Sequence, residues 1–175
     1  MYTKEVNGIT YTFFSNPLVR IDEWIIEELK GRLFRGFFVE ITAGNGIHDS
    51  NTLTLDKLGW TGILVEPDEQ LNKQLVQNRP TCTVCQSNGT LPLATILTYT
   101  PNPIDLLVLI NGAELALLDS YYSSTLPEEL RRFKYIAVGW GLNAGKLVRL
   151  KDILEPQGYE LRQLRGFAAC FAAKT

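Results

Sequence analysis

A single histidine and three cysteines are all that the chain offers as soft metal ligands. A closed zinc site takes four ligands, and Cys82-x-x-Cys85 supplies only half of one. Beyond that pair only Cys170 and His48 remain. The segment Thr81-Cys82-Thr83-Val84-Cys85 also reads as a strand, on which residues three apart point to opposite faces. Buried or half-buried thiols, with no metal, are the expectation. Charge of one sign is lacking too. Lys and Arg number 17 and Asp and Glu 19, for a net charge of −2. No global field therefore draws the chain toward nucleic acid or an anionic membrane. Long apolar runs are missing: those at 104–110 and 167–173 are far too short to cross a bilayer. Met1-Tyr2-Thr3-Lys4-Glu5 has no apolar signal segment. A cytoplasmic location is expected, with neither nucleic acid nor membrane as partner.

What is present suits one globular domain over residues 1–175, with 45% hydrophobic and 21% charged residues. Its organising stretch is Gly36-Phe37-Phe38-Val39-Glu40-Ile41-Thr42-Ala43-Gly44-Asn45-Gly46. An apolar run with β-branched Val39 and Ile41 ends near an acid, as a buried parallel strand does. Gly44 and Gly46 then permit positive φ and close approach of a ligand to the backbone. A helix is expected next, its free N–H groups facing that ligand. The dinucleotide spacing G-x-G-x-x-G needs a third glycine, where this chain has Asp49. The S-adenosylmethionine pattern, an acid followed by alternate glycines, fits Glu40, Gly44 and Gly46, with Thr42 in place of the first glycine.

Along the chain, alternating Ile9, Tyr11 and Phe13 predict a small strand or arm. Asn16-Pro17 reads as a cap and first turn. Ile21, Trp24, Ile25 and Leu29 then recur at helical spacing, closing at Gly31. This N-terminal arm and helix occupy about 1–31. Capping residues at 48–52 precede a helix through Leu53, Leu55 and Leu58. A second strand over 60–66 ends at Glu66, and Asp68 caps a helix bearing Leu71, Leu75 and Val76. A third strand lies near 81–86, and 92–100 is ambiguous. Ile104–Ile110 is the most continuous apolar strand, hence central. A helix from Ala113, a strand at 135–138, a helix carrying Leu147, Leu150 and Leu154, and a closing hairpin at 158–164 and 167–173 complete the pattern. Strands alternating with helices imply a parallel sheet covered on both faces. The terminal antiparallel pair suits the seven-stranded methyltransferase variant of the Rossmann architecture.

Several segments resemble the FkbM-type methyltransferases. They are Gly36–Ile41 with Ala43–Gly46, Ser50-Asn51-Thr52, Leu58-Gly59-Trp60-Thr61-Gly62, Val65-Glu66-Pro67, Asn78-Arg79-Pro80, Ile104-Asp105-Leu106-Leu107, Gly112-Ala113-Glu114-Leu115 and Gly158-Tyr159. They run over most of the chain from about residue 36. The resemblance implies S-adenosylmethionine as cofactor and an oxygen acceptor on a small hydroxylated metabolite or sugar. It implies that Glu40 orders the loop and the amino-acid end of the cofactor. Gly44, Asn45 and Gly46 wrap that end, Glu66 accepts from the ribose hydroxyls, and Ser87 and Asn88 meet the adenine edge. The chain also departs from the pattern. The acid usual after the fourth strand is missing at Ile110-Asn111, and the fifth strand ends in Gly139-Trp140. Glu114 reads as a helix-start acid. His48 is then the candidate proton acceptor. The competing reading is a non-catalytic relative that keeps the fold as a binding or interaction module.

Overall fold

The computed structural model describes residues 1–30, 35–87, 104–110, 112–123 and 133–174. Gly31, Asn88, Asn111 and the ambiguous segment 92–100 lie outside them. The first residues form a hairpin, β1 (Tyr2–Val6) and β2 (Ile9–Phe13). Asn7 and Gly8 make its two-residue turn with φ of 52° and 81°, the conformation that matches strand twist in tight hairpins. Helix α1 (Ile21–Glu28) begins four residues later than the Asn16-Pro17 signal predicts. Asn16 caps a separate turn instead: its Oδ1 accepts from the Leu18 N–H and its backbone oxygen from those of Val19 and Arg20. Asp22 is fully buried at the helix start. It accepts from the Phe14 and Ser15 N–H groups and from the Thr54 hydroxyl, so the end of β2 is tied to α1.

The remaining elements are β3 (Phe37–Ile41), α2 (Leu53–Lys57), β4 (Thr61–Glu66), α3 (Glu69–Asn78), β5 (Thr83–Gln86) and β6 (Ile104–Leu109). They continue with α4 (Glu114–Tyr122), β7 (Phe133–Gly139), α5 (Ala144–Leu154), β8 (Tyr159–Arg165) and β9 (Ala168–Ala173). Strands β3 to β9 make one seven-stranded sheet in the order β5-β4-β3-β6-β7-β9-β8. Contacts among β3 to β7 are parallel, and β9 runs antiparallel to both β7 and β8. This is the sheet expected from the sequence. Strand order reverses between β3 and β6, and in such sheets the crevice at the carboxyl edge of that reversal is where ligands bind.

Alternation along the strands builds two cores. Phe38, Leu64, Leu106 and Tyr135 face Trp24 and Ile25 of α1, Leu55 of α2 and Leu75 of α3. Val39, Ile63, Leu107 and Ile136 face Leu118 and Tyr121 of α4 and Leu150 and Leu154 of α5. Cys82 packs against the first core and Cys85 against the second. The C-x-x-C is therefore split by the sheet, and burial raises both thiols above their ordinary range. Among the described residues no group of three His, Cys, Asp or Glu is placed to hold a metal, and no helix is long and apolar enough to cross a membrane.

Candidate ligand site at the carboxyl edge

The chain leaves β3 in a strained turn. Thr42 has φ 66°, the left-handed region that a β-branched residue avoids because its Cβ crowds the backbone. It is held there by its neighbours. The N–H groups of Thr42 and Ala43 both donate to Val65 O, at 2.8 and 3.0 Å, bending the chain over the end of β4. The Gly44 N–H donates to Glu66 Oε2 at 2.7 Å, and the Asp68 N–H to Glu66 Oε1 at 2.9 Å. Glu66, 2% exposed, thus fastens the loop after β3 to the loop after β4.

The two glycines have different surroundings. Gly44 (φ 60°) has open space where a Cβ would stand. At Gly46 (φ 77°) a Cβ would fall 2.5 Å from Leu75 Cδ1 and 2.7 Å from Arg79 Cγ, so its bareness lets α3 pack against the loop. Asn45 Oδ1 accepts from the N–H groups of Ile47 and His48, and its backbone oxygen accepts from Asn78 Nδ2.

Arg79 lies beneath the loop and is fully buried. Its Nε pairs with Asp56 Oδ2 at 2.6 Å. One terminal nitrogen donates to Gly46 O and Ser50 Oγ, the other to the Thr52 hydroxyl. Thr52 donates in turn to Glu40 Oε2 at 2.6 Å, while Glu40 Oε1 accepts from the Asn51 N–H and Nδ2. Burial pushes the Glu40 carboxyl above its ordinary range, and Thr52, Arg79 and Asn51 pull the other way. Glu40 therefore orders the 42–52 loop from inside.

Above the loop is a cavity of about 220 Å³. Glu40, Thr42, Ala43, Gly44, His48, Asp49 and Asn51 form one wall; Asn16 and Val19 form a second, and Ile110 and Phe167 close it. Strain gathers here, since Asp49 (φ 54°) joins Thr42 in the left-handed region, a pattern seen at ligand sites. The polarity of the wall differs from expectation. Helix α2 is only five residues long, and most N–H groups of the turn before it bond within the protein rather than face a ligand. Those of Thr42, Ala43, Gly44 and Asn51 go to Val65 O, Glu66 and Glu40. Those of Gly46, Ile47, His48 and Ser50 stay within the loop. The cavity is lined by the carboxylates of Glu40 and Asp49, with the Asn16 amide and the His48 ring beside them. Asn51 Oδ1 is buried with no partner.

His48 stands at the mouth, its side chain 84% exposed and Nδ1 3.7 Å from Asp49 Oδ1. Ser87 is buried just beyond β5 and does not line the cavity. Glu114 is 1% exposed at the start of α4. Its Oε1 accepts from the Gly112 N–H and its Oε2 lies 2.6 Å from Lys146 Nζ. A Cβ on Gly139 would stand 2.5 Å from Glu114 Oε1, so this carboxylate occupies the space of any side chain at the end of β7. Trp140 Nε1 donates to Gly166 O, which anchors it to the β8–β9 turn. Two residues were not assigned to the site from the sequence. Arg79, quoted only within Asn78-Arg79-Pro80, continues the buried stripe of Asn72 and Leu75 at helical spacing, a signal that was readable. Asp49 read only as a missing glycine and one of the capping residues at 48–52.

No protein-family model and no curated protein matches the chain. Solved structures do. The N-terminal domain of human METTL16 in complex with S-adenosylhomocysteine superposes with a TM-score of 0.65 over 94% of this chain and 72% of that one, at 17% identity. A putative RNA methyltransferase from Pyrococcus horikoshii gives 0.58 over 94% and 93%, at 12% identity. A TehB-like S-adenosylmethionine-dependent methyltransferase from Corynebacterium glutamicum gives 0.54 over 91% and 90%, at 17% identity. The fold is that of the S-adenosylmethionine-dependent methyltransferases. Identities this low fix the architecture and leave the FkbM resemblance a matter of sequence.

Proposed function

We propose that the chain binds S-adenosylmethionine in the cavity between β3 and β6 and is a methyltransferase for a small hydroxylated acceptor, as its FkbM-like segments imply. The polarity of the 42–51 turn carries the cofactor reading. A dinucleotide presents a pyrophosphate, which calls for free N–H groups at a loop or helix start. Here most of those groups, all but the N–H of Asn45 and Asp49, are spent inward, and the Glu40 and Asp49 carboxylates line the cavity. Such a wall suits a ligand with cationic groups, and S-adenosylmethionine carries both a sulfonium and an ammonium. Gly44 gives the ligand room to approach the backbone. Each Glu66 oxygen accepts from one loop N–H and keeps a second lone pair for a ribose hydroxyl. Asn45 and Gly46 shape the loop, and Ser87 lies buried just beyond β5.

When bound, the cofactor supplies an already activated methyl group, so alignment of the acceptor can provide much of the rate. Val19, Ile110 and Phe167 would position that acceptor by shape. His48, at the mouth, would take the hydroxyl proton. A net charge of −2 favours a small acceptor over RNA. Calorimetry tests the cofactor reading: S-adenosylmethionine and S-adenosylhomocysteine should bind and NAD should not. Glu66→Ala should weaken the first two by about 1.5–3 kcal/mol, and an unchanged affinity would take Glu66 out of the site. Methyl transfer is then read with labelled cofactor across a panel of hydroxylated acceptors.

One observation favours the non-catalytic alternative. Glu114, whose Oε1 abuts Gly139 at the end of β7, is locked to Lys146 and the Gly112 N–H. Cofactor binding without transfer to any acceptor would establish that reading.

A further inference from the structure

We infer that Asp49 selects the amino-acid end of the ligand by accepting a hydrogen bond from its ammonium group; this rests on the S-adenosylmethionine reading of the site. Glu40 is buried, with Asn51 on one oxygen and Thr52 on the other. Glu66 is buried, and Gly44 and Asp68 hold its oxygens. Glu114 lies off the cavity wall and is paired with Lys146. Asp49 is the carboxylate on that wall that remains open, with its side chain 48% exposed. Among the described residues only Asn16 Nδ2 reaches its Oδ2, at 3.2 Å, and His48 Nδ1 stands 3.7 Å from its Oδ1. Asn51 belongs to the same wall with its Oδ1 buried, which leaves the Asp49 carboxylate as the acceptor that an arriving donor meets. An ammonium has three donors and no acceptor, which is the complement of this wall.

The backbone supplies a matched control. Asp49 has φ 54°, a conformation that glycine adopts freely. Asp49→Gly removes the carboxylate without asking the loop to change shape, and Asp49→Asn removes the charge while keeping the outline. Calorimetry on wild type and both variants would use S-adenosylmethionine, S-adenosylhomocysteine and 5′-methylthioadenosine, which has the nucleoside and thioether without the amino-acid end. The expected result is a loss of about tenfold or more in affinity for the first two in both variants. Methylthioadenosine should be unaffected, and Asp49→Gly should melt no lower than wild type. Equal weakening of all three ligands would overturn the inference, because Asp49 would then act through the loop as a whole. Weakening of S-adenosylmethionine alone would also overturn it, by placing the carboxylate at the sulfonium. No weakening of any ligand would remove Asp49 from recognition. If wild type binds none of the three, the reading of the site fails in the wild type itself, and this inference falls with it.

Discussion

Thr42→Gly should stabilise the protein. Thr42 sits at φ 66° with an exposed side chain. A left-handed conformation costs a residue with a Cβ about 1–2 kcal/mol. Glycine escapes that cost but loses more chain entropy on folding, about 0.5–1 kcal/mol. Because the Thr42 side chain is exposed, its removal forfeits little buried area. The two N–H bonds to Val65 O belong to the backbone and survive the change. The balance is a gain of about 0.5–1 kcal/mol, or about 1–4 °C in Tm for a chain of this size. Urea denaturation is the assay, with the slope m unchanged and the midpoint moved upward. A midpoint that falls by the equivalent of about 0.5 kcal/mol or more would show that the threonine side chain contributes something the strain argument omits.

Other outcomes follow from the same geometry. Arg79→Met leaves Asp56 without its guanidinium and the 46–52 turn without its floor; it should cost about 3–5 kcal/mol, and a loss under about 1 kcal/mol in urea would refute that role. Glu40 has a folded-state carboxyl raised above its ordinary 4.5, so its contribution is full below that value and is lost as pH rises through the folded value. Wild-type stability measured across pH 4–8 (a range set about the carboxylate values) should show that decline and Glu40→Gln should lack it; identical profiles would mean that the three donors outweigh burial. His48→Gln should leave cofactor affinity intact and lower turnover about 10²–10⁴-fold. Undiminished turnover would assign the rate to alignment alone.

Strand composition made the sheet legible, because continuous apolar runs such as Ile104–Leu109 form only where both faces are covered. Alternation with helices made the parallel pairing legible, while the order of strands is a finding of the structure. The start of α1 was not legible, since Asn16-Pro17 carries the same residues whether it opens a helix or caps an isolated turn. Asp22, eight residues from Phe14, decides between them through contacts invisible locally. At the site, Glu40 and Glu66 were readable as acids ending strands. Their occupation by loop N–H groups was not, because it depends on β3 and β4 lying side by side. Gly46 was read as ligand clearance, whereas the structure has its clearance filled by Leu75 and Arg79. A glycine signals that space is needed and does not say by what.

The space at Gly139 constrains how this sequence can change. With Glu114 Oε1 2.5 Å from where a Cβ would stand, an acid placed at 139 would drive one carboxylate into another. Position 139 can grow only if the Glu114 carboxylate swings aside, and that parts it from Lys146 and the Gly112 N–H. An acid gained at the end of the fifth parallel strand therefore comes with a rearranged Glu114, and libraries searched for improved transfer should vary 139, 114 and 146 together.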